Sequence, residues 1–144
     1  MSLELKNAQV TDFEDVFKLL EQLWSGTKLN KEDLADVYSS NLGREDTFNK
    51  IAILDNKVIA YYCGYTFLNL YHTGKIFYLQ IIIVDENYRK LGIGKKIIDD
   101  IVSISSSEKC KAIELDSAFF RESAHRFYTN LGFNKRGYVF SKLL

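Results

Sequence analysis

The chain has no proline, one tryptophan, one methionine, two cysteines and eight glycines in 144 residues. It has no apolar run near the roughly 18–20 residues that cross a bilayer. Its opening MSLELKNAQVTD lacks the basic-then-apolar order of a secretion signal. A cytoplasmic protein without membrane attachment is therefore expected. Cys63 and Cys110 form no Cys-x-x-Cys or Cys/His cluster, so they read as two buried thiols, and no metal is implied. Lys plus Arg and Asp plus Glu both total 19, for a formal charge of zero, which argues against nucleic acid or an anionic membrane as partner. There is no repeat, linker or low-complexity tract, so a single domain over residues 1–144 is expected. What is present is a 47% hydrophobic and 14% aromatic composition, ample for a packed interior.

TDFEDVFKLLEQLW (11–24) has a capping-box spacing at Thr11 and Glu14, and apolar residues every three or four positions, the pattern of an amphipathic helix stopped by Gly26. A second helix is expected after Asn30, with Leu34, Val37, Tyr38 and Leu42 on one face and Gly43 as its stop. The period then changes. KIAIL (50–54) and VIAYYCGYTFLNL (58–70), joined by Asp55-Asn56-Lys57, read as a hairpin. A turn at His72–Lys75 leads to IFYLQIIIV (76–84), whose continuous apolar run at Ile81–Val84 suggests a strand covered on both faces. A helix with Ile97, Ile98, Ile101 and Val102 on one face, the strand AIEL (112–115), a helix over ESAHRFYTNL stopped by Gly132, and a last strand in YVFSKLL complete the chain. The expected fold is α/β, with a mixed, mostly antiparallel central sheet and helices on both faces.

The turn NYRKLGIGKK (87–96) puts two glycines and four cations ahead of a helix. A dinucleotide fingerprint would need a third glycine where Ile97 stands. A phosphate loop of the Walker type would need glycine at Arg89 and Ser or Thr at Lys96. What fits is Arg89-x-x-Gly92-x-Gly94 between strand and helix. There, free N–H groups and the helix dipole converge on one point and suit a pyrophosphate.

With this loop and with Phe127-Tyr128-x-x-x-Gly132-Phe133 about thirty residues later, the sequence resembles the GNAT superfamily of acetyl-coenzyme A dependent N-acetyltransferases, whose element order it also follows. The resemblance implies that acetyl-coenzyme A is the cosubstrate. It implies a pyrophosphate on the backbone of Leu91, Gly92, Ile93, Gly94 and Lys95, flanked by Arg89 and Lys90, and a pantetheine arm paired with Ile82, Ile83 and Val84. A primary amine of a small molecule would attack the thioester directly, and Tyr128 would return a proton to the departing thiolate. Alternatives are transfer to a lysine in a peptide, or a non-catalytic coenzyme A-binding sensor.

Many relatives carry a carboxylate near the positions of Tyr78, Gln80 and Ile81, and here none is acidic. The base is left open between a water chain past Tyr78 and Gln80, and Asp116. His125 and His72 are weaker candidates. Lys28, His72 and Lys75 would suit an acidic acceptor. The family also includes many homodimers, and the sequence identifies no interface.

Overall fold

The computed structural model describes residues 2–144. Five strands form one sheet in the order β1-β2-β3-β4-β5. They are β1 (Leu3–Asn7), β2 (Thr47–Leu54), β3 (Lys57–Asn69), β4 (Gly74–Val84) and β5 (Ile113–Leu115), and the helices are α1 (Phe13–Leu23), α2 (Lys31–Leu42), α3 (Ile93–Ser107) and α4 (Glu122–Asn130). The chain divides into two compact units, residues 1–114 and 115–144.

In the first unit, β1 to β4 pair antiparallel with their sheet neighbours. Asp55 and Asn56, with φ of 50° and 62°, make the two-residue hairpin turn that matches strand twist. The bonds Lys111 N–H to Lys75 O and Phe77 N–H to Ala112 O advance together along both chains, as a parallel β4–β5 pairing requires.

The sheet carries helices on both faces, and neighbouring tyrosines of β3 show it, because successive strand residues point to opposite sides. Tyr61 packs against Tyr38 of α2, at 6.1 Å between ring centroids, within a cluster that includes Val16, Leu19 and Leu20 of α1. Tyr62 points the other way and donates to Asp100 Oδ2 of α3 at 2.6 Å. Lys50 of β2 meets the same oxygen at 2.9 Å. Ile97, Ile98 and Ile101 of α3 are buried on that side, each worth roughly 1.5–3 kcal/mol of burial. Gly64 is required where it stands: a Cβ there would run into the Phe77 ring and lie 2.7 Å from the Tyr78 carbonyl oxygen.

Several expectations need correction. The chain begins with a strand, not a helix: β1 pairs along its whole length with β2. The helix start is capped two residues earlier than Thr11, because the Gln9 N–H donates to Asp12 Oδ2 at 2.8 Å and a short 3-10 turn precedes α1. Val37 and Val102, expected on buried faces, are exposed. Cys63 is buried but Cys110 only half so; both thiols are free.

In the second unit, α4 ends as the sequence suggests. Gly132 has φ 92°, its N–H bonds Thr129 O, and the Phe133 N–H bonds Tyr128 O at 3.0 Å. This is a Schellman ending, with its usual apolar contact between the residue after the glycine and the last turn, here Phe133 against Tyr128 at 5.7 Å. The final strand expected in YVFSKLL does not form: residues 134–144 have no strand, and Tyr138, Val139, Phe140, Leu143 and Leu144 are exposed. Strand composition yields a strand only where a neighbour supplies backbone partners.

Candidate functional site

The site in the first unit is the end of β4 and the turn into α3. Asp85 closes the strand. Its N–H donates to Ile59 O at 2.7 Å, and its carboxylate accepts the Asn87 N–H at 2.9 Å. Arg89 folds back so that its Nε donates to Val84 O at 3.1 Å. Lys90 and Gly92 then both take left-handed conformations, with φ of 61° and 80°. For a lysine this costs about 1–2 kcal/mol, while a glycine takes it freely. Gly92 is the cap of α3, and the first helical bond runs from Lys96 N–H to Gly92 O at 3.2 Å. The N–H groups of Ile93, Gly94 and Lys95 precede that bond and have no acceptor within the helix. They form the positive end of a 15-residue helix and can hold an anion.

The cations around the turn are exposed. Lys95 is paired with Asp99 at 2.9 Å, one helical turn on, with both side chains about 60% exposed, a contact worth only a few tenths of a kcal/mol.

The strand leading into the turn offers a second binding element. Cys63 pairs with Ile81 but Gly64 with Leu79, which leaves Gln80 as an extra residue in a bulge. On the other side of β4, the parallel bonds start at Lys75 and Phe77, and the three residues of β5 run out near Gln80 at equal rise per residue. The edge of Ile82–Val84 lies beyond them. This also explains why Ile81, Ile82 and Val84 are half-buried and only Ile83 is fully buried, against the expectation of a strand covered on both faces. Of the residues expected to bind the cosubstrate, Ile82, Ile83 and Val84 end β4, Arg89, Lys90, Leu91 and Gly92 form the turn after the Glu86–Tyr88 3-10 turn, and Ile93, Gly94 and Lys95 open α3.

Among the base candidates, Tyr78 is half-buried and packs against Tyr65 in a tilted arrangement, 5.6 Å between centroids. Gln80 is exposed, its Oε1 3.5 Å from the Cys63 thiol; burial pushes that thiol up to about 11, so it is protonated and inert at neutral pH. His72 is paired with Glu114 Oε2 at 3.0 Å, and Lys75 with Glu108 at 3.2 Å. Two of the three groups expected to favour an acidic acceptor are thus already answered by carboxylates. A cavity of about 390 Å³ lined by Asn7, Leu42, Thr47 to Lys50 and Ile104 shares no residue with the glycine turn.

In the second unit, Tyr128 sits half-buried on α4 between Phe127 and Phe133. Burial raises its pKa, with Arg121 opposing, so the phenol keeps its proton at neutral pH. His125 lies three residues earlier, half-buried, and Asp116 is exposed.

Sequence reasoning missed Gln22 of α1, whose amide joins the turn from 63 residues away. It also missed the Gln80 bulge. Neither leaves a local signal, because each is defined by a partner on another element.

The sequence model described as the acetyltransferase (GNAT) family matches residues 13–133, and the chain belongs to that family. It is an acyltransferase by that membership. Glucosamine 6-phosphate N-acetyltransferase 1 of Dictyostelium discoideum is 27% identical over 94% of this chain and 87% of its own. The aminoalkylphosphonate N-acetyltransferase of Salmonella typhimurium is 23% identical over 98% and 91%. In fold, the chain superposes on an aminoglycoside N-acetyltransferase in complex with coenzyme A with a TM-score of 0.85, at 18% identity, covering 99% of this chain and 95% of that one. Among the described residues no helix is long and apolar enough to cross a membrane.

Proposed function

We propose that the protein transfers the acetyl group of acetyl-coenzyme A to the primary amine of a small molecule by direct attack. The observation that carries this reading is the run of β4 through Ile82–Val84, past the level where the three residues of β5 stop, into the uncommitted N–H groups of Ile93–Lys95 at the start of α3. The first suits the amides of a pantetheine arm and the second a pyrophosphate. Arg89, Lys90 and the backbone of Leu91 and Gly92 complete the anion site. Arg89 reaches the phosphates through its Nη groups, its Nε being held by Val84 O.

A β4 N–H polarises the thioester carbonyl as negative charge develops. The amine nitrogen bonds to the acetyl carbon, the carbon–sulfur bond breaks, and Tyr128 donates its phenolic proton to the thiolate. The raised pKa of Tyr128 brings it closer to an acid held ready than to a phenolate. The amine loses its proton to water passing Tyr78 and Gln80, since no carboxylate stands between Tyr78 and Ile81.

The test is release of coenzyme A thiol from acetyl-coenzyme A across amines sorted by charge. Glucosamine 6-phosphate and aminoalkylphosphonates lead the panel because the relatives named for them cover most of the chain. Aminoglycosides, polyamines and lysine peptides follow. Turnover with a small amine is expected. Turnover with lysine peptides alone would overturn the small-molecule reading, and failure to bind coenzyme A at all would overturn the cosubstrate.

A further inference from the structure

We propose that Gln22 of α1 is a positioning residue for the glycine turn, setting how tightly the protein holds the pyrophosphate of coenzyme A. This rests on the reading of that turn given above. Gln22 is half-buried near the end of α1. Its Nε2 donates to Asp85 Oδ2 at 3.2 Å, and its Oε1 accepts the Glu86 N–H at 2.9 Å. One amide therefore grips both a side chain and the backbone at the first two residues of the turn. Asp85 is 8% exposed and ties the same point to Ile59 O and to the Asn87 N–H.

Each group has a consequence for the others. Asp85 needs donors because a buried carboxylate without them is costly. Gln22 supplies the one that comes from a helix. The carboxylate then fixes Asn87, and the backbone from Glu86 to Tyr88 forms a single 3-10 turn. The left-handed residues Lys90 and Gly92 follow immediately. Anion binding by backbone N–H groups depends on their mutual direction, and the segment that sets the direction at Gly92 starts from residues 85–86, where the Gln22 amide holds both a side chain and the backbone. Glutamine alone among residues of this length can donate to Asp85 and accept from Glu86 at once.

The decisive variant is Gln22→Met, which keeps length and helix propensity and removes both hydrogen-bonding groups. The dissociation constant for coenzyme A, measured by titration calorimetry, is expected to rise roughly tenfold, the worth of one such hydrogen-bonded contact. In steady state, KM for acetyl-coenzyme A rises by a similar factor while kcat holds. Hydrogen exchange at Glu86 and Asn87 accelerates while the β3 amides of Tyr61 and Tyr62 keep their protection. Gln22→Glu keeps the acceptor for Glu86 but sets a like charge against Asp85, and is expected to weaken binding as well. Coenzyme A affinity unchanged in Gln22→Met would overturn the proposal, as would a fall in kcat with KM constant. Wild-type protein that does not bind coenzyme A would overturn the reading of the turn itself, a different result from an indifferent variant.

Discussion

Residues 1–114 and residues 115–144 are built on different terms. Among the described residues the buried apolar ones all fall between Ala8 and Ile101, and four strands tie that unit together by backbone ladders. In the second unit α4 has no fully buried residue, and Phe119, Phe120, Tyr138 and Phe140 are exposed. Its order comes from local rules: a nine-residue helix and a Schellman ending. The proposed proton donor, Tyr128, belongs to the second unit, and the proposed anion site to the first. Stability and chemistry should therefore respond to different substitutions, and four experiments sharpen or break that contrast.

The largest stability effect is expected at Phe77, which has no exposed surface and packs on Phe48 at 5.7 Å. Phe77→Ala should cost about 3–5 kcal/mol in urea unfolding. A loss near zero would mean that the sheet is not the seat of stability.

Next comes alkaline pH. The folded Cys63 thiol is raised from 9.0 to about 11, first by burial. The stability this contributes is complete below pH 9 and is lost as pH rises through 11, because ionisation is then easier in the unfolded chain. The thermal midpoint should fall across that window, with Cys63 contributing the equivalent of roughly 2.7 kcal/mol, and Cys63→Ala should make the fall shallower, leaving the share of the buried tyrosines Tyr38, Tyr61 and Tyr62, whose phenols burial also raises.

Gly92→Ala comes third. At φ 80° with open space around the position, the added Cβ meets no neighbour and costs only backbone strain, about 1–2 kcal/mol. Coenzyme A binding should weaken with it, as the N–H groups at the helix start turn away.

The smallest stability effect is expected at Tyr128→Phe, within about 0.5 kcal/mol. Its kcat should fall roughly a hundredfold or more, with coenzyme A affinity retained. Unchanged turnover would leave Tyr128 with only its packing role against Phe133.

The helix stop at 132–133 was legible because Gly132 and Phe133 end a helix by backbone geometry alone, whereas the role assigned to Tyr128 came from the resemblance of Phe127-Tyr128-x-x-x-Gly132-Phe133 to the family's motif. The hairpin at Asp55-Asn56 and the Asn30 cap, whose side chain accepts the Asp33 N–H at 3.0 Å, were legible because a turn or a cap is decided within four residues. The first strand was not. Five residues with two leucines are too few to establish a period, and β1 exists through its register with Ile51–Leu54. The final segment failed in the opposite direction: Tyr138–Phe140 have strand-forming side chains, and no strand pairs with them among the described residues.

The sequence by itself determined the glycine turn, the helix that follows it and the helix stop at Gly132. These depend on which backbone conformations a residue permits and on hydrogen bonds no more than a few residues long. Tertiary structure alone decided that β5 pairs with β4 and stops after three residues, near the level of the Gln80 bulge. It also decided that the amide of Gln22 meets Asp85, and that Tyr62 and Lys50 converge on Asp100. Each of these joins groups tens of residues apart, and their meeting is set by sheet order and helix packing, which no local stretch of sequence encodes.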